Sequence, residues 1–142
     1  MSNNITFILP IFNEEDRIKR VCEYYQDFGE LIVIDSFSTD NSLKIVNKLN
    51  IKSFQFQNNG THQTPEFYKF IKEICSNKYI VLLSASEFIP RRLIKKYINV
   101  ANSGSHSIVS SVVDSYTCGE AIPLWGGRFK FLERRIERFF NI

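Results

Sequence analysis

Three short polar stretches hold the side chains best suited to chemistry: Asn13-Glu14-Glu15, Asp35-Ser36-Phe37-Ser38-Thr39-Asp40 and Ser84-Ala85-Ser86-Glu87. Each follows an apolar run. A carboxylate so placed, Asp35 foremost, can accept a hydrogen bond from an N–H donor such as the imide of uracil, and the charge on the acceptor strengthens that bond. The competing reading of Asp35 and Asp40 is that they close turns and cap helices, common work for aspartate after a strand. Phe12 reads equally as a stacking ring or as core. Ser84 and Ser86 offer neutral hydroxyls and Glu87 a single carboxylate. His62 reads as a plain loop histidine, and is otherwise the one candidate between Gln57 and Gln63 for a basic group that holds phosphate.

The runs that lead into these stretches predict strands at Ile5 to Pro10, Leu31 to Ile34, Ile51 to Phe56 and Tyr79 to Leu83. Between them, apolar positions recur at helical spacing. Asn13 is placed to cap a helix with Ile18, Val21, Cys22 and Tyr25 inward, and Glu14, Glu15 and Asp16 in its first turn suit the helix dipole. Ser38, Thr39 and Asp40 can cap a second helix marked by Leu43, Val46 and Leu49. Thr64 before Pro65 caps a third, with Phe67, Phe70, Ile71, Ile74 and Cys75 on its stripe. Pro90 opens a fourth with Leu93, Ile94, Tyr97 and Ile98 inward, ended by Asn102-Ser103-Gly104. Gln57 to Gln63 is loop.

This alternation argues for an α/β fold: a mostly parallel, Rossmann-like sheet with helices on both faces, in three layers. Ligands of such sheets bind beyond the carboxyl ends of the strands, where all three polar stretches fall. After His106 the pattern changes. Ile108, Val109, Val112 and Val113 predict strand, and Gly119, Gly126 and Gly127 predict turns in a hairpin-like region.

At 142 residues the chain is long enough for one well-cored domain and too short for two. Apolar residues at 44% and charged residues at 23% sit close to globular averages and suggest neither a disordered nor a membrane-embedded chain. No apolar run approaches the roughly 18 to 20 residues of a spanning helix, and Met1-Ser2-Asn3-Asn4 lacks a basic leader, so the expected location is the cytoplasm. Cys22, Cys75 and Cys118 are far apart in apolar contexts, which reads as buried thiols rather than a disulfide framework or metal cluster.

Ile8-Leu9-Pro10-Ile11-Phe12-Asn13-Glu14-Glu15 and Val33-Ile34-Asp35-Ser36-Phe37-Ser38-Thr39-Asp40, one strand-helix-strand unit apart, together resemble the start of the family 2 glycosyltransferases of GT-A fold. The resemblance continues to Leu82-Leu83-Ser84-Ala85-Ser86-Glu87, where that family's metal motif lies. More loosely, Asp114-Ser115-Tyr116-Thr117-Cys118-Gly119 to Trp125-Gly126-Gly127 is similar to the acceptor-side region of enzymes that add sugars to lipopolysaccharide core. The resemblance implies transfer of a sugar from a nucleotide-sugar, UDP-linked, to a cell-surface glycan or lipid-linked acceptor. It implies that Pro10, Phe12 and Glu14 shape the base and ribose pocket, that Asp35, Ser38 and Asp40 belong to the nucleotide side, and that Ser84 and Ser86 lie near the diphosphate. Residues 1–104 then form the nucleotide-binding half of a single domain, and 105–142 a partial acceptor-side region with a basic tail.

The family's Asp-X-Asp motif binds ribose and a Mg2+ or Mn2+ ion. Serine stands at both aspartate positions here, which leaves Glu87 as the one nearby metal ligand. In inverting members the general base is a carboxylate beyond the metal motif, for which Asp114 and Glu120 are the substitutes in this chain. The alternative is a degenerate relative of the same fold that binds a nucleotide, a glycan or a partner protein without transferring sugar.

Arg128, Lys130, Arg134, Arg135 and Arg138, set against Glu133 and Glu137, carry the whole net charge of +3. In a helix, Phe129, Leu132, Ile136 and Phe139 or Phe140 share one face, and such a segment over 128–140 can rest on the inner face of an anionic membrane. It reads equally as a final helix packed on the sheet, and the resemblance makes part of it a strand. A basic patch without base-stacking motifs gives no reason to expect nucleic acid.

Overall fold

Seven consecutive buried residues, Ile5–Ile11, form β1, around which the chain is built. The structure, a computed structural model, describes residues 4–57, 64–86 and 88–104 with their side chains, and the backbone of strands within 108–112, 114–117, 120–123 and 136–141. After β1 come α1 (Ile18–Tyr25), β2 (Glu30–Asp35), α2 (Ser42–Lys48), β3 (Lys52–Gln55), α3 (Pro65–Ile74), β4 (Tyr79–Leu82) and α4 (Arg91–Ser103). The strands β5 (Ile108–Val112), β6 (Asp114–Thr117), β7 (Glu120–Pro123) and β8 (Ile136–Asn141) follow.

Six strands form one sheet in the order β3-β2-β1-β4-β8-β5, while β6 and β7 pair separately. β1 is parallel to β2 and β4, and β2 to β3. β8 runs antiparallel to both β4 and β5. The sheet is therefore mostly parallel, as the alternation of elements predicts.

Alternate residues of the inner strands serve two apolar layers. Ile5, Phe7, Leu9 and Ile11 pack with Leu31, Val33, Tyr79 and Val81 against α1, α2 and α4. Ile8, Ile32, Ile34 and Ile80 turn the other way and meet Phe67 and Ile71 of α3. Each large apolar side chain buried in this way contributes roughly 1.5 to 3 kcal/mol. α3 begins as its sequence dictates, with Thr64 accepting the Phe67 N–H at 3.2 Å and Pro65 in the first turn. α4 ends at Gly104, whose φ of 63° suits a residue without a side chain.

Three expectations are corrected. α1 starts at Ile18, with Arg17 before it making no side-chain cap, so Asn13 does not cap it and Glu14, Glu15 and Asp16 lie outside its first turn. α2 starts at Ser42 after Asn41, again without a side-chain cap from Ser38 or Thr39. Asn13 and Glu15 on the first loop, and Ser38, Thr39 and Asp40 on the second, are engaged across the two loops instead. Finally, Ile136–Asn141 is a strand inside the sheet, so the helical face drawn through Ile136, Phe139 and Phe140 does not exist. Residues 128–135 lie outside the described residues, as do Cys118, the predicted turn residues Gly119, Gly126 and Gly127, and residues 58–63 with His62. Among the described residues, Cys22 is a buried free thiol, while Cys75, expected to be buried, is a half-buried one, and no helix is long and apolar enough to cross a membrane.

Candidate functional site

The chain runs from β1 to β2 to β3 in one direction, then returns through α3 to β4 on the opposite side of β1. The strand order therefore reverses at β1, and open sheets of this kind bind ligands beyond the carboxyl ends at that reversal. The polar exits of β1, β2 and β4 all emerge there.

The first two exits are laced together. Ser36 N–H donates to the Ile11 carbonyl at 2.9 Å, which extends the β1–β2 pairing past the strand ends. Asn13 N–H then donates to Ser38 Oγ at 2.9 Å, and Thr39 N–H to Asn13 Oδ1 at 2.8 Å. Glu14 N–H donates to Ser42 Oγ at 2.7 Å, Glu15 N–H to Asp40 Oδ2 at 3.0 Å, and Asn41 N–H to Glu15 Oε2 at 2.8 Å. Asn13, in the left-handed region at φ 53°, can aim its amide this way because asparagine tolerates that conformation. Ser38 and Asp40 thus hold one loop to the other.

Asp40 also accepts the Ser42 N–H at 2.9 Å. Desolvation pushes its carboxyl pKa up, but the bonds from Ser42 and from the Glu15 N–H outweigh that and leave it below the ordinary 3.8. Glu14, through Oε2, is paired with Arg17 at 2.7 Å to Nη2 and 2.8 Å to Nε.

Asp35 is fully buried. Its two oxygens share the Ser38 N–H at 3.2 Å, and Oδ2 also accepts from Gln55 Nε2 at 3.2 Å. The turn-closing role is therefore real, and the amide of Gln55 adds a second donor at Oδ2. Gln55 escaped the sequence reading. Its signal is positional, since β2–β3 register sets it opposite Asp35.

Pro10 is buried in β1. Phe12, which reads equally as core, is 56% exposed instead. Phe37 and Phe88 are exposed as well, so a ring follows each of β1, β2 and β4. Phe37 was also missed, although an aromatic residue amid polar turn residues is a visible signal.

The third exit is anchored from below: Leu83 N–H donates to the Ile8 carbonyl at 2.8 Å, and Arg20 lies over the Phe88 ring at 5.5 Å. Ser84 and Ser86 face each other, Oγ to Oγ, at 2.8 Å. Two hydroxyls satisfying one another are not the hard anionic cage that Mg2+ or Mn2+ requires. Among the described residues, no group of three His, Cys, Asp or Glu side chains could hold a metal ion. Glu87 lies outside the described residues. The residues described here therefore do not fit the cation that the resemblance implies.

Asp114 and Glu120 each open a strand of the small sheet, where Asp114 pairs with Pro123 and Glu120 with Thr117. They stand at opposite ends of that two-stranded ladder and are not brought together.

A profile described as Glycosyl transferase family 2 matches residues 6–141. No curated protein sequence matches the chain. Among solved structures, TarS residues 1–349 from S. aureus align with a TM-score of 0.70 at 18% identity, covering 99% of this chain and 47% of that one. Glucosyl-3-phosphoglycerate synthase from Mycobacterium tuberculosis, in complex with Mn2+, UDP and glucosyl-3-phosphoglycerate, aligns at 0.57 and 20% identity over 73% of this chain and 42% of its own. The chain thus spans less than half the length of either structure. Likeness at these identities shows the fold, an α/β sheet of GT-A type.

Proposed function

Because the chain belongs to glycosyl transferase family 2, we propose that the carboxyl edge of β1, β2 and β4 binds a UDP-linked sugar, for transfer to a cell-surface glycan or lipid-linked acceptor. The observation that carries this is the pair of laced loops, which set the exposed Phe12 ring beside the turn that encloses the Asp35 carboxylate. Phe12 offers a stacking face for the base. The imide N–H of uracil takes the place that the Gln55 amide holds on Asp35 Oδ2. Cytosine has a lone pair where uracil has that N–H, so it is disfavoured against a carboxylate. Pro10 and Glu14 shape the ribose side, Ser38 and Asp40 keep the loops in place, and Ser84 and Ser86 donate hydroxyl hydrogens to diphosphate oxygens.

Asp114 or Glu120 is the general base of this reading, and the acceptor is of lipopolysaccharide-core type, reached from the cytoplasmic face of the membrane. That a solved synthase of the same fold holds UDP and Mn2+ supports a uridine nucleotide as the class of ligand. The serine pair supports binding that does not depend on a cation.

Calorimetric titration of the full chain with UDP and CDP, with and without Mn2+, is the test. UDP is expected to bind about tenfold more tightly than CDP, the scale of one specific polar contact to a charged group, with little change on adding Mn2+. A chain that binds UDP under neither condition does not have this function. Hydrolysis or transfer of a UDP-sugar, followed by release of UDP, then tests the reaction itself.

A further inference from the structure

Phe37 sits in the β2–α2 turn with φ of 58°, a conformation that disfavours any residue with a Cβ and a bulky one most of all. Burial does not offset this, because the side chain is 49% exposed. The neighbours impose the conformation: Ser38 N–H is held by the Asp35 carboxylate, Ser38 Oγ by Asn13 N–H, and Thr39 N–H by Asn13 Oδ1. Glycine would make the same turn without strain. A bulky residue there, with its ring half in solvent, is strained without being explained by packing.

Its place narrows the ligand. β2 lies on the side of β1 away from β4, so Phe37 stands at the end of the edge opposite Ser84 and Ser86. The Asn13–Ser38 bond has Phe12 immediately before one partner and Phe37 immediately before the other. Two exposed rings therefore rise from adjacent, bonded loops beside the Asp35 turn.

We propose that Phe37 is a second base-contacting residue, packing its ring against the pyrimidine that Phe12 stacks upon. This rests on the reading of this edge as a UDP site. A phenyl ring carries no hydrogen-bonding group, so Phe37 supplies affinity common to all pyrimidines, while choice between uracil and cytosine belongs to Asp35. The two contributions are separable.

The experiment compares wild type, Phe37→Gly, Phe37→Tyr and Asp35→Asn by titration with UDP, CDP and inorganic diphosphate, alongside thermal unfolding. Phe37→Gly is expected to weaken UDP and CDP by the same factor, about tenfold as for loss of one base-stacking ring. Inorganic diphosphate affinity stays unchanged and the melting temperature does not fall, because the turn is relaxed. Phe37→Tyr keeps wild-type affinity. Asp35→Asn instead collapses the preference for UDP over CDP. Phe37→Gly binding UDP within about twofold of wild type, or changing the UDP to CDP ratio, overturns the role of Phe37 while leaving the UDP site standing. Loss of diphosphate affinity together with melting temperature overturns it as well. Absence of UDP binding in the wild-type chain overturns both.

Discussion

The phenol oxygen of Tyr25 accepts the backbone N–H of Ile89 at 2.9 Å in a buried contact that ties α1 to the segment following β4. Tyr24 completes the grip by donating to the Ile89 carbonyl at 2.7 Å. Tyr25→Phe keeps the ring and strands a buried N–H, which costs about 1 to 3 kcal/mol. Thermal unfolding should show a fall of several degrees. Tyr24→Phe, at a half-buried site, should cost less.

Asp40 makes the clamp between the first two loops sensitive to acid. Its pKa in the folded chain is lowered, so the stabilisation is fully present above 3.8 and is lost as pH falls through the folded value. Denaturant unfolding of wild type and Asp40→Asn at a series of pH values should show a gap near neutrality that closes in acid. A gap that persists at the lowest pH would mean that the charge is irrelevant.

Burial pushes the Cys22 thiol up to about 12, with the charge of Glu23 adding to the effect. Burial likewise raises Cys75 to about 11, helped by Glu30. Because the thiolate is the nucleophile, neither should react with an alkylating reagent at neutral pH until the chain unfolds. Mass mapping of alkylated peptides before and after denaturant checks this.

Ser84→Asp/Ser86→Asp replaces the paired hydroxyls with two carboxylates. If the rest of the edge is intact, the double variant should bind UDP only weakly without Mn2+ and regain affinity when it is added. Calorimetry with and without the ion reads this directly.

Much of the fold was legible because it rests on local periodicity. Thr64-Pro65 announces α3 through its own side chain and ring, and Leu31 to Ile34 announces β2 by being apolar on both faces. The start of α1 was not legible. Asn13 and Glu15 have partners in Thr39, Asp40 and Asn41, about 25 residues away, and only the register of β1 on β2 makes them neighbours. Asp35 could be picked out as a strand-end carboxylate, whereas its bond from Gln55 depends on a third strand. Phe139 and Phe140 fit a helical stripe as well as a strand, and pairing with β4 and β5 decided between them.

β8 has a consequence for how the chain comes into being. Tyr79, Ile80 and Val81 of β4 find their outer partners in Asn141, Phe140 and Phe139, about sixty residues later. Until those residues leave the ribosome, the strand that leads to Ser84 and Ser86 has one bare flank, and bare flanks recruit strands from other chains. A nascent or truncated polypeptide ending before Ile136 should therefore aggregate more readily than one that carries β8.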